Sequence, residues 1–180
     1  MKATSILVAA SLVICVSIQA FAGTWYVDDS VAVSGDGTSW ETAFQRIQEG
    51  IDATSDGDTV TVAEGTYVEN IHFDGTNITC TSTDPLDPAV VGSTTIDGNQ
   101  SGSVVTFSGT ETEACILCGF TIRNGKAEGG GGICGGTGPD STQATIQNNT
   151  ITGNSANLYG GGGLYECNGT IQNNTITGNS

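Results

Sequence analysis

Positive charge is the scarcest feature of this 180-residue chain, with four Lys and Arg set against nineteen Asp and Glu, a formal net charge of −15. Nucleic acids and anionic membranes are recognised through clustered cations that displace counterions, so neither is an expected partner. One His and one Met leave little material for a His-based triad. Charged residues are only 13% of the chain, while 37% are apolar and many of those β-branched. That balance argues against charge-driven disorder and for one domain with a core. Leucine is sparse, which excludes leucine-rich repeats. Long apolar runs are lacking too, with one exception at the start.

That exception reads as an export signal over 1–22. Lys2 supplies a positive flank, Ile6 to Ile18 form the apolar stretch, and Ala20-Phe21-Ala22 offers a small-x-small cleavage site. The stretch is short for a bilayer span and no basic stop follows, so no membrane span is expected in the mature segment. The expected location is therefore secreted or cell-surface. Cys15 leaves with the signal, so Cys80, Cys115, Cys118, Cys134 and Cys167 remain, an odd number whose pairing the sequence leaves open. Cys115-Ile-Leu-Cys118 has redox or metal spacing, but its intervening residues read as strand, where residues three apart face opposite sides. No second Cys pair or His pair completes a zinc set. Buried packing cysteines are the expectation.

Internal repetition decides the architecture. Residues Thr145–Ser155, TIQNNTITGNS, recur unchanged as Thr170–Ser180, 25 residues on. A looser copy precedes them, with Thr121-Ile122 matching Thr150-Ile151 and Gly129–Gly132 matching Gly160–Gly163. Helical arrays are excluded because Gly, Thr, Asn and Ile are poor helix formers and no 3.6-residue period appears. What remains is very short strands separated by Gly and Asn turns, about three per 25-residue turn. The spacing predicts an all-β parallel solenoid over 59–180, with Ile146 stacked on Ile171 and Ile151 on Ile176. Asn148 and Asn149 are expected under Asn173 and Asn174 as an amide ladder. Before it, 23–58 reads as a first strand and one capping helix, Thr42 to Ala53. Ser39 is its expected N-cap, and Phe44, Ile47 and Ile51 share its apolar face. The last repeat reaches Ser180 with no capping element, which predicts that the coils belong to a longer solenoid.

Gly161-Gly-Gly-Leu-Tyr165 and Thr150-Ile-Thr-Gly-Asn-Ser-Ala156 resemble right-handed parallel β-helix repeats of the pectate-lyase-like superfamily. They are similar in particular to the repeats of polymorphic outer membrane proteins, with their G-G-A-I and F-x-x-N motifs. Gly132-Ile133 and Gly163-Leu164 stand at the first motif without its Ala, and Ile151 and Ile176 replace the Phe of the second. Trp25-Tyr-Val-Asp28 and Asp36-Gly-Thr-Ser-Trp-Glu-Thr-Ala-Phe44 resemble the entry segment of many secreted bacterial β-helix proteins, and Gly65-Thr-Tyr67 followed by Glu69-Asn70, and Gly119-Phe-Thr-Ile-Arg-Asn-Gly125, are similar to segments common in them. The resemblance covers nearly all of 24–180. It implies a right-handed parallel β-helix, with polysaccharide lyases and hydrolases among the relatives.

Lyases of that superfamily typically use Ca²⁺ held by acids, with Arg or Lys as base. Here Arg123 is the one base candidate, with Asp97 or Glu128 as its partner carboxylate, although a solvent-facing Arg on a strand needs no catalytic explanation. The hydrolases require clustered Asp and a Gly-His-Gly element, and His72 in Asn70-Ile-His-Phe73 matches neither. Asp56-Gly-Asp58 and Asp97-Gly-Asn99 carry hard oxygen ligands suited to Ca²⁺, yet Asp-Gly pairs are ordinary turn chemistry. No cofactor is therefore expected, with Ca²⁺ the one ion these residues could hold. Two function classes stay open. One is a binding, adhesive or structural scaffold toward polysaccharide or surface protein. The other is a polysaccharide lyase or glycoside hydrolase with its active site beyond residue 180.

Overall fold

The computed structural model describes residues 22–136 and 141–180. The expected export signal, but for Ala22, lies outside the described residues. Nearly all regular structure is short parallel strand, arranged in three main sheets that the chain visits in a fixed order. The first sheet contains Thr24–Val27, Thr59–Val62, Thr79–Ser82, Ile116–Cys118, Thr145–Gln147 and Ile171–Gln172. The second contains Gly65–Val68, Thr94–Asp97, Thr121–Arg123, Thr150–Thr152 and Thr175–Thr177. The third contains Ile71–His72, Val105–Thr106, Ile133–Cys134 and Leu164–Tyr165. A small pair, Lys126–Ala127 with Ser155–Ala156, bridges the second and third. Stacked turns of this kind are consistent with a parallel β-solenoid. Among the described residues no helix is long and apolar enough to cross a membrane.

The register confirms the expected stacking. Ile146 pairs with Ile171 and Ile151 with Ile176, and Ile151 also continues down onto Ile122 and Ile96. On the third sheet the inward column is Ile71, Val105, Ile133 and Leu164. Side chains alternate along a strand, so each of these columns faces the core while its neighbours face out. Phe73 and Phe107 stack inside, with ring centroids 4.7 Å apart. Burial is set by the coil above as well as the coil below. Ile146 and Ile151 are fully buried, whereas Ile171 and Ile176 in the outermost coil are 43% and 49% exposed.

Three expectations need correction. The helix over Thr42–Ala53 is divided into a 3₁₀ turn, Trp40–Thr42, and a helix α1, Ile47–Asp52. Between them the backbone is claimed by the first strand: Phe44 N–H donates to Tyr26 O at 2.9 Å and Asp28 N–H to Phe44 O at 2.8 Å. Phe44 is therefore half-buried beside Trp25 and off the helix, while Ile47 and Ile51 are buried as expected. Ser39 precedes the 3₁₀ turn and makes no side-chain cap. A second helix, α2, Pro88–Ser93, was not expected. Asp87 caps it through Ala89 N–H at 2.8 Å, with Pro88 in its first turn, a start signal present in the sequence.

The amide ladder is the third. Asn149 and Asn174 form it, with Asn149 Nδ2 donating to Asn174 Oδ1 at 3.2 Å. Asn148 and Asn173 instead adopt φ of +56° and turn the corner, because Asn tolerates the left-handed region at a bend. A ladder that was not expected joins Asn154 to Asn179 at 3.0 Å.

Candidate functional site

The outward column of the third sheet runs His72, Thr106, Cys134, Tyr165. Its last three members form the floor of a groove of about 880 Å³ that crosses three coils. Lys126 to Gly129 and, in the adjacent coil, Asn157 and Tyr159 run side by side along it, and Glu166 also lines it. The two stretches are tied together by backbone: Leu158 and Tyr159 N–H both donate to Glu128 O, at 3.0 and 2.7 Å. Tyr159 and Tyr165 stack with ring centroids 6.1 Å apart and planes 27° off parallel. Gly129 makes that pairing possible. A Cβ there would lie 3.2 Å from Tyr159 Cβ and 3.3 Å from Tyr165 Cδ1, so any larger residue would push the rings apart.

Charge in the groove is sparse. Glu166 sits at φ +54°, and Ser141 Oγ donates to its Oε2 at 2.6 Å. Glu128 and Lys126 have exposed side chains with no hydrogen bond or ion pair among the described residues. Desolvation, followed by the neighbouring Glu166 carboxylate, pushes the Tyr165 phenol up, so it stays a neutral hydroxyl at physiological pH. The arrangement offers two aromatic faces, two carboxylates, one ammonium and the Asn157 amide along a single open channel.

The residues singled out from sequence lie elsewhere. Arg123 Nε donates to Asp97 Oδ2 at 3.1 Å, so of its two expected carboxylate partners the structure brings Asp97, while Glu128 stands in the groove wall. Asp97 also accepts from Asn124 Nδ2 at 2.8 Å and Asn99 N–H at 3.0 Å. Burial tends to raise its carboxyl, but these hydrogen bonds and the guanidinium outweigh it and hold it below the usual range. Asp56 accepts from Asn77 N–H at 2.8 Å. Asp58 accepts from Gly23 N–H, Ser55 N–H and Trp25 Nε1, at 2.6, 2.9 and 3.2 Å, and the backbone donors lower its pKa. Their oxygens thus serve turns and strand ends. Among the described residues no three His, Cys, Asp or Glu gather as a metal site.

All five cysteines among the described residues are free thiols. Cys80 and Cys115 belong to the core, and Cys118 faces the other way, in register with Thr81 and Gln147. Burial pushes the Cys115 and Cys167 thiols up to about 12, which makes them inert as thiolate nucleophiles. The groove residues Tyr159 and Glu166 were missed because no motif contains them. The only sequence signal is a pair of tyrosines flanking the Gly160–Gly163 run. No protein-family profile matches the chain, and no curated protein does.

Proposed function

We propose that this chain is part of an exported, right-handed parallel β-helix scaffold of the pectate-lyase-like kind, capped by α1, which binds polysaccharide rather than cleaving it. The right hand follows from the strong bias of parallel strand connections. The repeats Thr145–Ser155 and Thr170–Ser180 supply the likeness to β-helix proteins. The observation that carries the binding reading is the groove, in which Tyr159 and Tyr165 offer flat faces to a pyranose ring and Asn157, Glu128 and Glu166 offer hydrogen-bond partners. Aromatic side chains give large apolar contact with little entropy loss. Arg123 is satisfied by Asp97 away from this groove, which supports a structural role for it.

A hydrolytic reading is favoured by one observation, the two carboxylates Glu128 and Glu166 in the same groove, since glycosidases work with a carboxyl pair. The test is titration of the protein with oligosaccharides, followed by incubation with the same sugars, pectate and alginate in millimolar Ca²⁺. Binding is expected without turnover, and Tyr159→Ala is expected to weaken it about tenfold or more, a loss near 1.4 kcal/mol. Turnover abolished by Glu128→Gln or Glu166→Gln would establish the hydrolase instead. Turnover abolished by Arg123→Ala would make Arg123 the base.

A further inference from the structure

The chemistry of the groove narrows the class of sugar. We infer that it selects oligosaccharides bearing protonated amines over their neutral and uronic counterparts, an inference that rests on the carbohydrate-binding reading above. Three observations converge on it. First, the groove's fixed charges are Glu128, Glu166 and Lys126, an excess of one negative charge, on a chain of net −15. A cleft of one sign on a protein of the same sign concentrates counter-ions and repels like charge. A uronate chain enters against that field, and an ammonium enters with it.

Second, the carboxylates are available. Ser141 donates to Glu166 Oε2 and the Tyr165 phenol interacts with the same carboxylate, which still leaves it acceptor capacity for a further donor. Glu166 holds a left-handed backbone, φ +54°, at the corner that follows Leu164–Tyr165. The Glu128 carboxylate accepts no hydrogen bond among the described residues, and its main chain is anchored by Leu158 and Tyr159 N–H. Two carboxylates lining one groove can each accept charge-assisted hydrogen bonds from an ammonium.

Third, the tyrosines attract cations as well as sugar faces. Tyr159 is 55% exposed and stacked on Tyr165, so the pair presents an aromatic surface beside the carboxylates. An ammonium over a phenol face gains cation–π attraction, and one held between such a face and a carboxylate gains both terms. Lys126 fits the same picture as a donor to ring and hydroxyl oxygens. It is one cation facing two anions, too few to reverse the preference.

The experiment compares three probes by calorimetry at mildly acidic pH: a β-1,4-linked glucosamine hexamer, its fully N-acetylated form, and an oligogalacturonate. The amine form is expected to bind about tenfold tighter than the acetylated one, with an affinity that falls as salt is raised. The Glu128→Gln/Glu166→Gln double variant is expected to bring the two neutral and amine affinities together. Glu64→Gln, which removes an exposed carboxylate outside the groove, is expected to leave the preference unchanged. Equal affinity for the amine and acetylated hexamers, or a preference that Glu64→Gln erodes as much as the groove variants, overturns the selectivity while the carbohydrate groove stands. Tightest binding of the oligogalacturonate overturns it too. Binding of none of the three, or binding indifferent to Tyr159→Ala, overturns the groove reading itself.

Discussion

Two neighbouring asparagines do opposite work. Asn149 is 1% exposed, accepts Phe120 N–H at 3.0 Å, and donates to Leu117 O at 3.0 Å. Removing its amide strands a buried donor and a buried acceptor, each costing about 1–3 kcal/mol. Asn148, at φ +56°, contributes its tolerance of the left-handed region, which glycine supplies equally well. Asn149→Ala is therefore expected to destabilise by about 3 kcal/mol and Asn148→Gly by less than about 0.5 kcal/mol, measured by urea unfolding. Equal losses would mean that the amide network does not hold the corner. Ser82 is the converse case. Its Oγ is buried and has no partner among the described residues, so Ser82→Ala is expected to raise stability by about 1 kcal/mol. A lower melting temperature would show that the hydroxyl is satisfied in solution.

At the scale of the element, α1 illustrates how a short helix is held from outside itself. Its N-terminal N–H groups have no local cap, and the Glu69 carboxylate of the next coil accepts from Ile47 N–H at 2.8 Å and Gln48 N–H at 3.2 Å. Arg46 lies 3.8 Å from the same carboxylate but is mostly exposed and adds little. Burial dominates and pushes the Glu69 carboxyl up despite these donors, so its negative charge is a cost that the capping bonds only partly offset. Glu69→Ala is expected to lose about 2 kcal/mol by orphaning the buried Ile47 N–H. Glu69→Gln, which keeps an acceptor and removes the charge, is expected to lose less than half of that. If the two variants unfold at the same denaturant concentration, the cap does not act through hydrogen bonding.

The whole molecule is a stack whose coils depend on each other, and its response to acid follows from where its carboxylates are held. Asp58, Asp97 and Glu111 all titrate below their ordinary values. For Glu111, burial acts upward but is outweighed by donors that include Ser108 N–H, Ser108 Oγ and Gly75 N–H. A carboxyl with a depressed folded pKa stabilises above its unfolded value, near pH 4, and that stability disappears as pH falls through the folded value. Glu69 has the opposite sign and loses stability as pH rises through its own range. Asp36 and Glu41, both fully exposed, are lowered too, so five carboxyls stand against one and unfolding free energy is expected to fall as pH is lowered from about 4 toward 2. A flat profile there, read by circular dichroism in urea, would place these carboxylates in solvent.

Much of this architecture is legible in the sequence, because stacked parallel strands write their register as repetition. The 25-residue spacing of TIQNNTITGNS determines the pairing of Ile146 with Ile171 and Ile151 with Ile176, since identical coils stack in register only when like sits on like. Composition, together with the missing 3.6-residue period, excluded helical arrays. Other features depended on contacts that no local pattern encodes. Phe44 left the helix because Tyr26 and Asp28, a strand away, captured its backbone. Asp97 was chosen over Glu128 for Arg123 because the two lie opposite each other in adjacent strands. The groove arises because Tyr165 follows the outward column of one sheet while Tyr159 rides a glycine-rich loop that Glu128 pins from the coil before. Periodicity is a property of one dimension and survives in the string, whereas a groove needs three coils side by side, and that proximity exists only after the chain has wound upon itself.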